Sequence, residues 1–265
     1  MMKSNNLAIG IFDSGVGGTS IWSEIRTLLP NENTIYLSDS KNAPYGEKSK
    51  QEIIDLSVKN TNFLLNQNCK LIVIACNTAT TNAIKILREN YKVPIVGIEP
   101  AIRPAALKTK TNIIGILATK GTLNSELFEI TSSVIRQTIT IKETVGTGLV
   151  ELIESGDINS LKIKNLLTSY IEPMLEEHVD CLVLGCTHYP YLMPIIREIV
   201  GDKIQIIDSG EAVARQTKAI LDKYQLFNTE TKGGTSQFYI NKNKSVLEML
   251  LPKNNDFISI DETNF

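Results

Sequence analysis

LIVIAC at residues 71–76 is matched by CLVLGC at residues 181–186, 110 positions further along the chain (186 minus 76). Each segment is a short apolar run of the kind found in strands buried on both faces of a parallel sheet, and each ends in a cysteine. IGIF at residues 9–12 similarly resembles IGIL at 114–117, 105 positions on (114 minus 9). Buried parallel strands are alike in composition, so one such match would carry little weight. Matches that keep their order favour a duplicated unit.

A third match extends the pattern, because the run ending at residue 98 has a counterpart ending at residue 208, again 110 positions on (208 minus 98). Along the whole chain, short β-branched runs alternate with longer amphipathic stretches, which is typical of α/β proteins with mainly parallel sheets. We therefore predict two similar α/β lobes related by a pseudo-two-fold axis. The predicted strands cover 7–12, 34–37, 70–75, 94–98, 112–117, 180–184 and 203–207, and the predicted helices cover 49–65, 80–90, 124–135, 158–176 and 191–200.

The offsets also predict how the chain divides into lobes. Residues 1–97 and 210–265 are assigned to the first lobe, and residues 98–209 to the second. The tail from residue 210 has no partner in the duplication, and we expect it to pack on the first lobe. Ligands of open α/β sheets bind at the carboxyl ends of the strands, so a cleft between the lobes is the expected site.

Composition restricts the class of partner. With 265 residues, 42% of them hydrophobic, the chain can bury a substantial core. The formal net charge is −2 and no run of like charges is present, which argues against nucleic acid or an anionic membrane as partner and favours a small molecule. The first apolar run, at residues 7–12, is too short for a signal-peptide core or a membrane span, so we expect a cytoplasmic protein.

Two of the four cysteines stand out from the others. Cys76 and Cys186 each end a predicted strand, whereas Cys69 and Cys181 lie before or at the start of one and are expected to be inert core residues. The cysteine spacing fits neither a CxxC redox motif nor a zinc finger, so we expect free thiols and no metal. A helix start after each strand-end thiol would favour its ionisation.

Paired thiols suit proton transfer at carbon. A thiol with an ordinary pKa of about 8.5 can hold either proton state near neutral pH. Inversion of a tetrahedral carbon needs a base on one face and an acid on the other. Cys76 and Cys186 on opposite sides of one cleft would supply both, and the expected reaction is inversion of a small amino acid without a cofactor.

Other candidate residues each allow a second interpretation. The amides of DSGVGG at 13–18 could hold a carboxylate or phosphate, but the segment is neither GxGxxG nor a Walker motif, and it could equally be a helix-entry turn. Tyr45 offers a hydroxyl from an ordered loop. Thr119 and Thr122 could bind an anion or cap a helix, and the two roles are compatible. His188 could tune a thiol or satisfy a local hydrogen bond.

Taken together, the motifs resemble those of the glutamate racemase group within the aspartate/glutamate racemases. FDSGVGG (12–18), PYGEKS (44–49), ACNTAT (75–80), LATKGT (117–122) and LGCTHYP (184–190) occur in the family's order, and the likeness extends over residues 7–222. It implies a cofactor-independent, two-base interconversion of L- and D-glutamate in a cleft between two lobes. It also implies a supply of D-glutamate for peptidoglycan and a homodimeric assembly.

The same resemblance assigns roles by position. Cys76 matches the base that acts on D-glutamate and Cys186 the base that acts on L-glutamate, with Asp13 and His188 assisting the thiols. Ser40 stands where the family often has threonine, which keeps a hydroxyl. An acidic residue near Glu154 is given an auxiliary role, with Glu151 as its rival. The matched substrate contacts are Asp13, Ser14, Tyr45, Gly46, Asn77, Thr78, Thr119, Thr122, Thr187 and His188.

The sequence is also compatible with three other functions to different degrees. An aspartate racemase would use the same chemistry on a shorter side chain. A two-lobed amino-acid sensor would bind in the cleft without turnover, but it has no need of a cysteine on each wall. A dinucleotide-dependent enzyme would need a glycine pattern that neither glycine-containing loop has.

Overall fold

The computed structural model describes residues 4–253 and 257–265. Within them, a six-stranded and a four-stranded sheet, both parallel throughout, confirm the predicted α/β class. The strands are β1 (Ile9–Asp13), β2 (Thr34–Ser38), β3 (Leu71–Ile74), β4 (Ile95–Gly97), β5 (Ile113–Ala118), β6 (Thr140–Val145), β7 (Cys181–Gly185), β8 (Gln205–Ile207), β9 (Ser236–Ile240) and β10 (Ile258–Glu262).

Helices connect the parallel strands, and side-chain caps begin several of them. Ser49 starts the second helix with a complete capping box, in which its hydroxyl accepts from the amide of Glu52 and the Glu52 carboxylate accepts from the amide of Ser49. The helices are α1 (Thr19–Leu28), α2 (Lys50–Asn66), α3 (Asn77–Asn90), α4 (Ile102–Lys108), α5 (Lys120–Leu123), α6 (Glu126–Ile135), α7 (Leu149–Glu154), α8 (Leu161–Glu176), α9 (Met193–Val200), α10 (Gly210–Lys223) and α11 (Lys244–Leu250).

The two sheets repeat one topology. The first contains the order β2-β1-β3-β4 and the second the order β6-β5-β7-β8, so strands at equivalent places in the sequence occupy equivalent places in the sheets. This arrangement confirms the prediction of two similar lobes. It also places β3 beside β1 and β7 beside β5, and every residue of β3 and β7 is buried.

The tail extends the first sheet. Strand β9 pairs with β2 and β10 pairs with β9, both in parallel. Helix α10 packs against α1, and its Thr217 and Leu221 are fully buried. The exact boundaries of the lobes, at residues 97/98 and 209/210, stay a prediction.

One apolar cluster spans both lobes, in addition to a separate cluster within each. A single cluster of buried residues contains Ile11 and Val73 from the first sheet together with Leu182 and Leu184 from the second. Packing of this kind holds the carboxyl ends of the two sheets close together. No helix among the described residues is long and apolar enough to span a membrane.

Candidate active site

A small, partly open cavity lies where the carboxyl ends of the two sheets meet. Both strand-end thiols line it, together with polar residues from each lobe. The sequence did not indicate Val150 as a site residue, because it does not follow a strand end and carries no polar group. Pro44 was predicted only as part of a loop. The lining residues are Ser14, Pro44, Tyr45, Gly46, Cys76, Asn77, Thr78, Thr119, Val150, Cys186, Thr187 and His188.

Cys76 is the N-cap residue of α3, as the sequence predicts. Its sulfur accepts from the amide of Ala79 at 3.4 Å and lies 3.6 Å from the hydroxyl of Ser14. Burial raises the pKa of Cys76 well above its ordinary value, the charge of Asp13 raises it further, and the two hydrogen bonds oppose them. The hydrogen bond from the Ala79 amide at the helix start lowers the pKa, as expected, but the loss of water on burial outweighs it.

Asp13 is fully buried behind the cavity, at the end of β1. One carboxylate oxygen accepts from the amide of Gly18 at 2.7 Å, and Ser14 donates to the other at 3.4 Å. Burial raises the pKa of Asp13 to about 6, while attraction to His188 limits the rise. The hydroxyl of Thr187, from the opposite lobe, lies 3.5 Å from both oxygens.

Cys186 follows β7 directly but does not begin a helix. A turn at residues 186–188 leads into a short 3-10 helix at Tyr189–Leu192, which corrects the expectation of a helix start at this thiol. Its sulfur lies 3.7 Å from Nδ1 of His188. The two strand-end thiols therefore have different neighbours: backbone and hydroxyl groups at Cys76, an imidazole at Cys186.

His188 is held by Glu154, which lies at the end of α7. Their Nε2 and Oε1 atoms are 2.6 Å apart, and we place a proton on Nε2 because a carboxylate oxygen accepts. Burial lowers the pKa of His188, but its hydrogen bonds to Cys186 and Glu154 and its attraction to both hold the pKa well above the usual value. Of the two candidate acids, Glu154 is buried at the site and Glu151 is exposed.

The glycine-rich turn after β1 packs against this pair. A Cβ at Gly15 would lie 1.9 Å from Oε1 of Glu154, and one at Gly17 would lie 2.3 Å from Nδ1 of His188. The amide of Val16 donates to Glu154 at 2.7 Å. Of the two interpretations of this segment, the helix-entry turn is favoured over an anion site, because the amides of Val16 and Gly18 already donate to Glu154 and Asp13.

Tyr45 contributes its ring rather than its hydroxyl to the cavity wall. The hydroxyl donates to Asp39 at 2.5 Å and accepts from Asn60 at 3.0 Å, so both of its hydrogen bonds lie within the first lobe. Next to it, a Cβ at Gly46 would lie 2.8 Å from Thr119, so the absence of a side chain lets the lobes approach closely.

Three threonine hydroxyls join the lobes at the other end of the cavity. Thr78 lies 2.7 Å from Thr119 and 3.2 Å from Thr122, which are themselves 3.0 Å apart. Thr119 also caps α5, so the capping and the site interpretations both hold. Thr122 stands behind the lining, in contact with it. Beside them, the buried amide of Asn77 has no partner among the described residues and is free to bind a ligand.

Other polar residues are not assembled here. His178 is exposed. Cys69 and Cys181 are buried in the core, as expected from their positions in the sequence. Across residues 4–253 and 257–265, no three His, Cys, Asp or Glu side chains cluster as a metal site.

Known proteins resemble the whole chain. A profile of the family described as Asp/Glu/Hydantoin racemase matches residues 18–217. The glutamate racemase of Ectopseudomonas mendocina is 44% identical over 254 residues, which cover 94% of this chain and 97% of that protein. A crystal structure of glutamate racemase isoform RacE1 from Bacillus anthracis has a TM-score of 0.87 at 29% identity, over 98% of both chains. Another, from Francisella tularensis in complex with D-glutamate, has a TM-score of 0.83 at 28% identity, over 97% and 98%.

A more distant likeness shows the fold alone. Aspartate racemase from Picrophilus torridus has a TM-score of 0.54 at 19% identity, over 84% of this chain and 99% of that one. The family profile and the Ectopseudomonas relative each span most of the chain, and the range that the profile matches includes both thiols. The chain belongs to the Asp/Glu/Hydantoin racemase family.

Proposed function

We propose that the chain interconverts L- and D-glutamate without a cofactor, by proton transfer between Cys76 and Cys186. The observation that carries this proposal is that the two thiols line one small cavity from opposite lobes. Their sulfurs are close enough for Cys186 to contribute to the raised pKa of Cys76. A substrate carbon held between them would have one sulfur on each face.

Starting from L-glutamate, the thiolate of Cys186 takes the α-proton and becomes a thiol. The electron pair of the broken C–H bond passes to the α-carbon and is delocalised into the α-carboxylate. The thiol of Cys76 then donates its proton to the opposite face, which leaves D-glutamate and a Cys76 thiolate. The reverse reaction starts from that state, so the two directions use the same two groups.

Each thiol has its own hydrogen-bonded support. His188 lies between Cys186 and Glu154, and its raised pKa favours an imidazolium that stabilises the Cys186 thiolate. On the other side, Ser14 lies between Cys76 and Asp13. We therefore assign Asp13 and His188 to assist proton transfer, with Glu154 as a positioning residue for His188.

Polar groups in the cavity wall can form hydrogen bonds with the charged groups of the substrate. The unpaired amide of Asn77 can both donate and accept, and the hydroxyls of Ser14 and Thr78 lie in the same wall. Tyr45 would contribute packing. Of the predicted contacts, Asp13 and Thr122 lie behind the wall and would act through Ser14 and Thr78. The proposed direct substrate contacts are Ser14, Tyr45, Gly46, Asn77, Thr78, Thr119, Thr187 and His188.

Glutamate is preferred to aspartate as substrate for two reasons. Eight relatives that are 42–47% identical to this chain are glutamate racemases, and the Francisella structure holds D-glutamate. The likeness to aspartate racemase concerns the fold alone. A sensor without turnover would not require a thiol on each wall.

The proposed role follows from the proposed reaction. D-Glutamate made in the cytoplasm would supply peptidoglycan synthesis, and free cysteines suit a reducing compartment. We also propose a homodimer, for which the exposed apolar residues Ile130 and Val134 on α6 offer a contact surface.

Racemisation by the purified protein tests this function. Circular dichroism would follow L-glutamate, D-glutamate and L-aspartate with no added cofactor. We expect both glutamate enantiomers to reach the same racemic end point. The value of kcat/KM for aspartate should be about 10- to 200-fold lower, the range that one methylene group provides. Faster turnover of aspartate, or no turnover of glutamate, would contradict the proposal.

A further inference from the structure

The turn Asn241–Asn243, which links β9 to α11, contacts both lobes beside the cavity. It belongs to the tail that has no counterpart in the duplication. Lys242 and Asn243 line a pocket next to the cavity, and the two spaces share Pro44 and Val150 in their walls. The tail therefore reaches the site, in addition to extending the first sheet.

Asn241 binds the loop that carries Tyr45. Its Nδ2 donates to Asp39 at 2.6 Å, and its Oδ1 accepts from the amide of Lys41 at 2.8 Å. Asp39 is fully buried and also accepts from the Tyr45 hydroxyl at 2.5 Å. Both ends of one amide side chain are thus used to fix the start of the loop whose later residues line the cavity.

Asn243 binds the opposite lobe. Its Nδ2 donates to the backbone carbonyl of Glu154 at 2.9 Å. Because this carbonyl belongs to the last residue of α7, no later turn of the helix satisfies it. Asn243 has a φ of 62°, in the left-handed region that asparagine tolerates better than most residues. The bond holds the residue whose side chain orients His188.

We propose that the turn Asn241–Asn243 is a positioning element for the reaction, which holds the Tyr45 loop of the first lobe with one asparagine and Glu154 of the second with the other. The inference rests on the proposed function for its kinetic consequence only. Neither asparagine lines the cavity that contains the two thiols, so each acts through the residue it holds. The turn also fixes the distance between a wall of the cavity and the support of Cys186.

Hydrogen exchange measured by mass spectrometry tests the contacts directly. Asn241→Ala removes the acceptor of the Lys41 amide, so exchange in residues 39–46 should become faster. Asn243→Gly removes the donor to Glu154 but keeps a residue suited to positive φ. It should speed exchange in residues 149–156 and at the Val16 amide, which donates to the Glu154 side chain.

Asn228→Ala is the matched control. Asn228 also lies in the tail and bonds to the first lobe, donating to the carbonyl of Asn31 at 2.8 Å and accepting from the amide of Glu230 at 3.0 Å, but it lies away from the cavity. Its replacement should leave exchange in residues 39–46 and 149–156 unchanged, and activity at the wild-type level.

Kinetics separate positioning from general loss of structure. Each of Asn241→Ala and Asn243→Gly should lower kcat/KM for glutamate by about tenfold or more, since displacements of about 1 Å are costly in catalysis. Asn243→Gly should also raise the primary isotope effect with L-[2-²H]glutamate and lower it with D-[2-²H]glutamate. Only the proton transfer at Cys186 depends on Glu154, through His188. A general loss of structure would therefore not change the isotope effects of the two enantiomers in opposite directions.

The outcomes distinguish this inference from the proposed function. Wild-type exchange in both segments of the Asn241→Ala and Asn243→Gly variants would overturn the inference, whatever the activity. So would faster exchange with unaltered kinetics in an active enzyme. If the wild-type protein fails to racemise glutamate, the proposed function fails, and exchange still decides whether the turn holds both segments. Should Asn241→Ala not fold, Asn243→Gly tests the contact with the second lobe by itself.

Discussion

Oε1 of Glu154 lies 2.6 Å from Nε2 of His188, and the same oxygen accepts from the amide of Val16 at 2.7 Å. Glu154 and His188 lie in the second lobe, whereas Val16 belongs to the glycine-rich turn of the first. One buried carboxylate therefore connects the support of Cys186 to the lobe that carries Cys76. The proton chemistry on one wall of the cavity depends on the position of the other lobe.

Replacing Glu154 should weaken the Cys186 side specifically. Glu154→Gln keeps the size of the side chain but removes the charge that helps hold the pKa of His188 above its usual value. Each unit by which that pKa falls would cost about tenfold in rate if the imidazolium stabilises the thiolate. Activity measured against pH should show the loss with a downward shift of the basic limb.

Glu151→Gln is the control for this measurement, because Glu151 lies on the same helix and is exposed. It should keep the wild-type profile. Equal losses of activity in Glu151→Gln and Glu154→Gln would contradict the assignment of Glu154 as the residue that supports His188.

Removing either strand-end thiol should abolish inversion. Cys76→Ala and Cys186→Ala each delete an essential acid or base, which corresponds to a loss of up to about 10⁴-fold. The chain provides matched controls, since Cys69 precedes β3 and Cys181 begins β7, the strands that lead to the two reactive thiols. Cys69→Ala and Cys181→Ala should stay active. Undiminished racemisation after loss of Cys76 or Cys186 would exclude that thiol from the reaction.

Asp13 should make the folded state less stable as the pH rises. Its pKa is about 6 in the folded protein against 3.8 ordinarily, so the folded state binds more protons between these values. Stability from this residue is present at low pH and is lost as the pH rises through about 4 to 6. The shift corresponds to about 3 kcal/mol.

Asp13→Asn has no such dependence. Its free energy of unfolding, relative to wild type, should rise with pH over this window in urea titrations. Asp202→Asn, at an exposed position, serves as the control and should follow the wild-type curve. A constant difference between Asp13→Asn and wild type from pH 4 to pH 7 would refute the assignment.

Gly17→Ala should displace the His188 ring. The added Cβ would lie 2.3 Å from Nδ1, and the ring is buried and bonded to Glu154. We expect a loss of about 1–3 kcal/mol in stability, with lower activity. In a His188→Ala background the clash is absent, so the same substitution should cost little stability. Additive losses in the double variant would show that the ring is not what the methyl group meets.

The positions of the reactive residues at strand ends could be predicted well from the sequence. The buried runs of β3 and β7 are continuous and apolar, so the positions of Cys76 and Cys186 at their ends followed directly. Strand β6 was missed because it is an edge strand with no fully buried residue and carries charged side chains. Its register becomes clear only from pairing with β5.

Contacts between distant segments were not readable. The sequence could not show that Tyr45 turns its hydroxyl toward Asp39, because the loop composition is equally compatible with a free hydroxyl. It left Glu151 and Glu154 as rivals, because both lie on one short helix. Only the packing of that helix shows that Glu154 is buried and Glu151 is exposed. The occupation of the Val16 amide in the glycine-rich turn likewise depends on a carboxylate 138 positions away.

Hydrogen transfer in heavy water tests most directly whether two thiols act on opposite faces of one carbon. L-Glutamate would be converted in D₂O, and both enantiomers would be recovered at low conversion and analysed by mass spectrometry. The two-thiol mechanism predicts one deuterium at the α-carbon of nearly every D-glutamate molecule, donated by the thiol that did not remove the proton. The remaining L-glutamate should be largely unlabelled. D-Glutamate that retains the original hydrogen would contradict it, since a single group would then have removed and returned the same proton.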